Sequence, residues 1–275
     1  MQKYRPNLGY NYPDRSDQHM LVVPHKVDTH YDENYRYYNK SFSYKLARVG
    51  LWLLLNLIVF PLCRLLHGLK IYGRKNIRKN KKLLKNGAVT IANHVFMWDF
   101  ICVMRAISPR LEYMIAWKTN FEGPNRGFVK LVGGVPVPTE SVHAMAAFSK
   151  SIDQILDDGK WLHCYPEGSM WYYYPDIRPF KKAIFKYAVK HNKPVVPIAF
   201  SFRERKGLYK LFGKTPCVDM HIGEPIMPNT EVPYNEGTLK LQKACYKKVQ
   251  ELVGILPGDA TYNENLNIDE YQKTM

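Results

Sequence analysis

The stretch Ala88-Val89-Thr90-Ile91-Ala92-Asn93-His94-Val95-Phe96-Met97-Trp98-Asp99 decides how the rest of the chain is read. Its first five residues form a short apolar, β-branched run after Gly87, the pattern of a strand buried on both faces. An Asn-His pair follows at the strand's end, and Asp99 opens a helical pattern that runs to Ile107. A buried strand, a loop with titratable residues and a helix make one unit of an α/β sheet, and such sheets form ligand sites at their strand ends.

The same alternation extends outward. Strands are predicted at 69–72, 113–116, 135–137, 161–165, 195–202 and 217–222, and helices at 124–132, 141–158, 179–191 and 236–253. Ser141 is a suitable cap for the third of these helical stretches counted from Asp99, and Gly159 ends it. The pattern implies one α/β domain over 69–256, with helices flanking a mixed but mostly parallel sheet. Before it lie a polar, tyrosine-rich tail (1–40) and an apolar segment (41–68), and after it a second tail (257–275). The tyrosines would let the first tail wrap the domain. With 46% hydrophobic and 23% charged residues in 275, the chain can bury a core.

Lys and Arg number 40 against 24 Asp and Glu, a formal charge of +16. Such an excess points to a polyanionic partner, nucleic acid or an anionic membrane. Its distribution favours the membrane. From Lys45 to Trp98 there is no Asp or Glu, while eleven cations bracket the apolar run 49–63. Fifteen helical residues span about 22 Å, short of a hydrocarbon core of roughly 30 Å, and Pro61 would bend or end the helix. The expectation is an interfacial or partly inserted helix or helical hairpin, with Lys and Arg reaching anionic headgroups; the alternatives are a buried core helix with solvated basic flanks and a tilted full span running on to Leu69. The basic segment has neither interleaved aromatics nor helix-turn-helix or zinc-finger spacing, so no nucleic acid is expected. A mean hydropathy of −0.35 excludes a polytopic membrane protein. The five cysteines are scattered and odd in number, which argues against a disulfide framework or a metal site and for a reducing compartment. The polar first 40 residues predict no cleavable signal peptide.

Two constellations could do chemistry. Asp99 lies five residues after His94, so a turn can bring its carboxylate to one imidazole nitrogen. That contact would fix the tautomer and leave the other nitrogen to take a proton from a hydroxyl. A helix-capping aspartate beside a structural histidine is the alternative reading of the pair in isolation. The second constellation, Tyr165-Pro166-Glu167-Gly168-Ser169, follows strand 161–165, where a carboxylate beside glycine could hold a polyol hydroxyl close to backbone; alone it reads equally as a turn. His143 is expected on a helix surface and His163 packed in a strand. Trp171 and Tyr172 to Tyr174 could line an acyl groove or simply pack a loop. Cys102 and Cys164 lie near the motifs without a role in attack by a hydroxyl.

Taken in order, these blocks resemble the glycerolipid acyltransferase family, typified by 1-acylglycerol-3-phosphate acyltransferases. His94 and Asp99 match its Asn-His-x4-Asp block. Tyr165 to Ser169 match its Phe-Pro-Glu-Gly-Thr block, with Tyr for Phe and Ser for Thr, and Val195-Val196-Pro197-Ile198 match its last apolar strand. The likeness runs from about Leu69 to Gly223. It implies transfer of a fatty acyl group from acyl-CoA or acyl carrier protein to a lysophospholipid hydroxyl, with the thioester as co-substrate and neither cofactor nor metal. His94 would be the general base, oriented by Asp99. Glu167, Gly168, Ser169 and Lys118 would belong to the acceptor site, and Pro197 to a donor or packing strand. The family's two phosphate-gripping arginines are replaced here by Thr139 and Met170. Either Lys118, Arg126, Arg178, Lys181 and Lys182 take over, or the acceptor is a different lysolipid or a glycolipid; the rival from another class is a non-catalytic membrane-binding protein of the same fold. The implied location is a membrane surface facing the cytoplasm.

Overall fold

The computed structural model describes residues 4–20 and 29–264. Seven strands form one sheet in the order β1-β7-β6-β2-β5-β3-β4. They are β1 (Lys70–Tyr72), β2 (Val89–Ile91), β3 (Glu112–Trp117), β4 (Gly134–Val137), β5 (Trp161–Cys164), β6 (Val195–Arg203) and β7 (Cys217–Ile222). Every neighbouring pair is parallel except β6 and β7, which run antiparallel. The sheet is mixed and mostly parallel, in a single domain.

Pleating divides the strand residues between two cores. On one face Val89, Ile91, Leu162, Val195 and Ala199 pack with the helices Val142–Asp157, Ala183–Lys190 and Tyr234–Leu252. On the other, Ala92, Val196, Ile198 and Phe200 pack with the helix Asp99–Ile107, Ile77 and Phe60. Ser141 caps its helix as expected, accepting from Ala144 N at 3.0 Å. The helix expected from 179 starts only at Ala183, because Lys181 donates its amide to Pro166 O at 2.8 Å instead of to a preceding turn. A short basic helix, Arg74–Lys79, has no apolar periodicity to reveal it in sequence; Ile77 alone is buried.

The apolar segment is one continuous helix, Phe42–Leu66, so neither a hairpin nor a break forms. Pro61 is accommodated because a π turn, Leu55–Val59, precedes it, and it stands at the start of the following helical turn, where its missing amide is not needed. Twenty-five residues span about 37 Å, which revises the length argued from the apolar run alone. The helix is long and apolar enough to cross a membrane, yet only 17% of its most apolar window is buried. It is therefore not a core helix.

The polar amino-terminal stretch wraps the domain. Tyr31, Tyr37 and Tyr38 join the core beside Phe121, Tyr113 and Phe148. Beyond Leu256, residues to 264 fold back: Asn263 and Gln250 exchange two hydrogen bonds of 3.0 Å. The rest of the carboxyl-terminal tail lies outside the described residues.

Candidate active site

Adjacent strands β2 and β5 end side by side, and each carries one of the two constellations. Asn93 extends the edge of β2. Its amide donates to Phe200 O at 3.0 Å and accepts from Phe200 N at 2.7 Å, continuing the ladder to β6 beyond the last strand residue. The chain then turns so that His94 faces Asp99, the first residue of its helix.

His94 Nδ1 lies 2.7 Å from Asp99 Oδ2. With a carboxylate there, Nδ1 carries the proton and donates. Asp99 is fully buried, and its carboxylate also accepts from Phe96 N at 3.3 Å and from the Tyr165 hydroxyl at 2.6 Å. The imidazole is 24% exposed, and among the described residues no hydrogen bond takes up Nε2. The Tyr165 ring stacks on His94 at 3.8 Å and 10°, so one side chain both covers the imidazole and holds its partner. Burial, then the Asp99 charge, push the Tyr165 phenol well above its usual range, so it stays a donor.

Behind them lies a second, wholly buried pair. Arg178 Nη2 donates to Glu167 Oε2 at 2.7 Å, and neither side chain reaches solvent. Glu167 also accepts from Arg178 N at 2.9 Å and from His94 N at 3.0 Å. Arg178 goes on to Ser169 Oγ at 2.5 Å and to Ser16 O at 2.7 Å. Buried charges need this degree of saturation to be tolerated. Two expectations change as a result. Arg178 is not open to a phosphate, because it is wholly buried and both of its Nη atoms are taken up by Glu167, Ser169 and Ser16, while its Nε is buried without a partner among the described residues. Glu167 and Ser169 do not face a polyol, because both are buried and paired; Glu167 instead positions the backbone of His94.

The remaining predicted cations lie at or near the surface. Lys118 pairs with Glu140 at 3.0 Å, and Glu140 also accepts from Thr139 N. A carboxylate thus sits beside Thr139, where the family's first arginine would stand. Lys181 is half-exposed, 3.6 Å from Asp17, and passes over Gly168, which has φ +80° and no room for a Cβ unless that lysine moves. Lys182 and Arg126 are exposed. Met170 is partly buried. Trp171 is buried, donating from its backbone to His94 O at 3.0 Å and from its indole to Gln18 O at 2.9 Å.

The amino-terminal stretch reaches the site without any signal in sequence. Ser16 and Gln18 supply the carbonyls for Arg178 and Trp171, and His19 stacks on Trp117 at 4.0 Å. Burial, then the positive field of His94, Lys181 and Arg178, lower the His19 pKa to about 4. The sequence also concealed the Tyr165 hydroxyl as a partner of Asp99; the only clue was Tyr at a position where Phe is usual. His163, expected to be packed, is fully buried with Nδ1 2.9 Å from Thr90 Oγ1. Among the described residues no three His, Cys, Asp or Glu side chains gather as metal ligands would. Two surface cavities, about 250 Å³ beside Tyr187 and Tyr234 and about 680 Å³ between Tyr4 and Tyr209, lie apart from the dyad.

A buried carboxylate fixing one imidazole nitrogen while the other stays free is an arrangement for general base catalysis. Comparison with known proteins bears on the kind of enzyme. Residues 68–201 match the family model described as Acyltransferase. Among solved structures, the fold is similar to the 1-acyl-sn-glycerophosphate (LPA) acyltransferase PlsC from Thermotoga maritima. The two share 20% identity and a TM-score of 0.54, over 78% of this chain and 85% of that one. The matched residues, just under half of the chain, mark an acyltransferase domain, and the enzyme class this supports is an O-acyltransferase.

Proposed function

We propose that the enzyme acylates a lysophospholipid, with 1-acylglycerol-3-phosphate, which would yield phosphatidic acid, as the leading acceptor and acyl-CoA or acyl carrier protein as donor. The observation that carries this reading is the free Nε2 of His94 at the end of β2, with Nδ1 held 2.7 Å from buried Asp99. Nε2 takes the proton of the acceptor hydroxyl as its oxygen attacks the thioester carbonyl. Asp99 stabilises the imidazolium that forms, and the imidazolium returns the proton to the departing thiolate. Lys118, Lys181, Lys182 and Arg126 are the cations left to meet an anionic headgroup. With Glu140 beside Thr139, a different lysolipid or a glycolipid is the second acceptor class to offer.

The lipid acceptor brings the helix Phe42–Leu66 into the same reading. One side of it is docked along the domain for most of its length. The Tyr44 hydroxyl donates to Lys130 O at 2.7 Å, Arg48 to Val132 O at 3.3 Å, and Arg105 to Asn56 Oδ1 at 2.8 Å, while Phe60 and Cys63 are buried. Arg48, expected to reach headgroups, is turned into the protein. A helix flanked by its own domain from Tyr44 to Cys63 lies along a membrane surface rather than through it. Leu46, Leu53, Leu57, Ile58 and Leu65 face outward to enter the headgroup boundary. Trp98 and Phe100 pack beside Leu51, Trp52 and Val59, which sets the dyad's helix against this anchor. We assign the site to the cytoplasmic face because the proposed donor is a thioester of CoA or acyl carrier protein.

The test is a product assay by mass spectrometry on a panel of lysolipids with both donors. His94→Ala should reduce transfer about a thousandfold or more, while sedimentation with vesicles is unchanged. Undiminished transfer by that variant would refute the mechanism.

A further inference from the structure

The turn Gly207–Phe212 joins β6 to β7 and lies beyond the residues that match the acyltransferase family. Leu208 is 77% and Leu211 79% exposed, and Phe212 is also exposed. Lys206, Lys210 and Lys214 are exposed among them. Water does not favour such a cluster of apolar side chains on a soluble surface. Nor is the turn loosely held. Arg205, itself buried, donates to Thr215 O, to Tyr209 O at 2.9 Å and to Thr215 Oγ1 at 3.4 Å, tying the middle of the turn to the chain that follows it. This tie keeps Leu208 and Leu211 outward.

The turn packs beside the carboxyl end of the long helix, where Leu62, Leu65 and Leu66 are exposed. Arg203 reinforces that junction, donating to Gly68 O, just past the helix, and pairing with Asp219 at 2.9 Å. The apolar outer face of the helix thus continues onto the turn, with three lysines beside it. Apolar side chains flanked by Lys are the composition that enters the headgroup region of an anionic bilayer: the leucines insert and the ammonium groups meet lipid phosphates.

We propose that Lys206–Lys214 is a second membrane foot, which inserts Leu208, Leu211 and Phe212 into an anionic lipid surface beside the long helix. The proposal rests on the reading that the helix itself lies on the membrane. Two contacts instead of one fix the enzyme's rotation about the helix axis, and so fix the height of His94 above the lipid.

The experiment adds a tryptophan to the full chain, as Leu211→Trp on the turn and separately as Leu57→Trp on the helix. Each is read against the unsubstituted protein with its five tryptophans. The vesicles are mixed phosphatidylcholine and phosphatidylglycerol, with and without brominated acyl chains. The expected result is a blue shift and a loss of emission to the bromolipid for both reporters. For Leu211→Trp the shift should be smaller in phosphatidylcholine alone. If Leu57→Trp is quenched by bromolipid while Leu211→Trp stays at the emission of water and open to acrylamide, the foot is refuted and the helix reading stands. If neither reporter meets lipid, both fall. A blue shift of Leu211→Trp that grows with protein concentration in the absence of vesicles would assign the patch to a second copy of the chain and overturn the proposal. As a functional check, the double variant Leu208→Asp, Leu211→Asp should lose several-fold in transfer to vesicle-borne acceptor and nothing with a short-chain soluble acceptor. Equal loss on both would also count against it.

Discussion

At the residue scale, the site is built from one exposed nitrogen and a set of buried groups that hold it. Asp99 has three donors around it, from His94, Phe96 and Tyr165, and each limits where the carboxylate can point. Tyr165 contributes in two separable ways, by ring stacking and by its hydroxyl. Tyr165→Phe keeps the stack and removes one hydrogen bond to a charged acceptor, a loss of about 1.5–3 kcal/mol in thermal stability. The same variant should keep kcat within about tenfold, and Tyr165→Leu, which loses the stack as well, should fall further. If Tyr165→Phe were as inactive as His94→Ala, the hydroxyl would be acting on substrate and not on Asp99. Glu167 shows how a motif residue can serve a site by position alone: it ties the amide of His94 to a buried arginine eleven residues further along the chain.

At the scale of elements, the long helix carries two faces with opposite duties. Arg48 is the hinge between them. Its guanidinium donates to the carbonyls of Glu112 and Val132 and lies 4.4 Å from the Tyr113 ring centroid. Gly133 is needed there, because at φ +99° a Cβ would strike both Glu112 O and Arg48. Replacing Arg48 with Met removes a charged donor from two carbonyls, which should cost about 2–4 kcal/mol in thermal unfolding. Lys45→Met, one turn earlier and exposed, should change stability by under about 0.5 kcal/mol. Equal effects of the two would mean that the helix is not docked through Arg48. The acid-free charge block is therefore not uniform: Arg48 is a structural pin, while Lys45, Lys70, Lys75 and Lys82 face solvent.

At the scale of the whole molecule, a buried acid makes stability depend on pH. Glu112 begins β3, and its fully buried carboxyl meets Thr90 Oγ1 at 3.2 Å, with the Arg48 charge nearby offsetting only part of the cost of burial. Burial raises its pKa from 4.5 to about 8. Between those values the folded chain keeps a proton that the unfolded chain has released, so this group's contribution to stability falls as pH rises from about 4.5 through 8. Below the unfolded value both states are protonated, and above the folded value the penalty is complete. Glu112→Gln should remove that slope, stabilising the protein at pH 8 and above and changing little near pH 4, as thermal unfolding across pH would measure. An unchanged slope would mean that Glu112 ionises as freely in the folded state as in the unfolded one.

Much of this protein was legible in its amino-acid order. The β2 run, its Asn-His turn and Asp99 are local features, set by side-chain periodicity and a spacing of five residues, and they were enough to locate the sheet and the dyad. The strands from β1 to β7 came from the same logic, with ends shifted by a residue or so. What local order could not carry was long-range saturation of buried polar groups. Arg178 has the composition of a phosphate ligand, yet burial and its three partners, Glu167, Ser169 and Ser16, make it a structural cation. Ser16 and Gln18 stand in a polar tail without periodicity, and they count because their carbonyls lie where Arg178 and Trp171 need acceptors. Pro61 reads as a helix breaker until the π turn before it removes the need for its amide. The sequence by itself determined the sheet, the His94–Asp99 pair and the basic, apolar character of the long helix, since these follow from neighbouring residues. The tertiary structure decided which charges are buried, which face of the anchor stays free and which distant segment closes the site. Those outcomes depend on whether each polar group finds a partner across the fold.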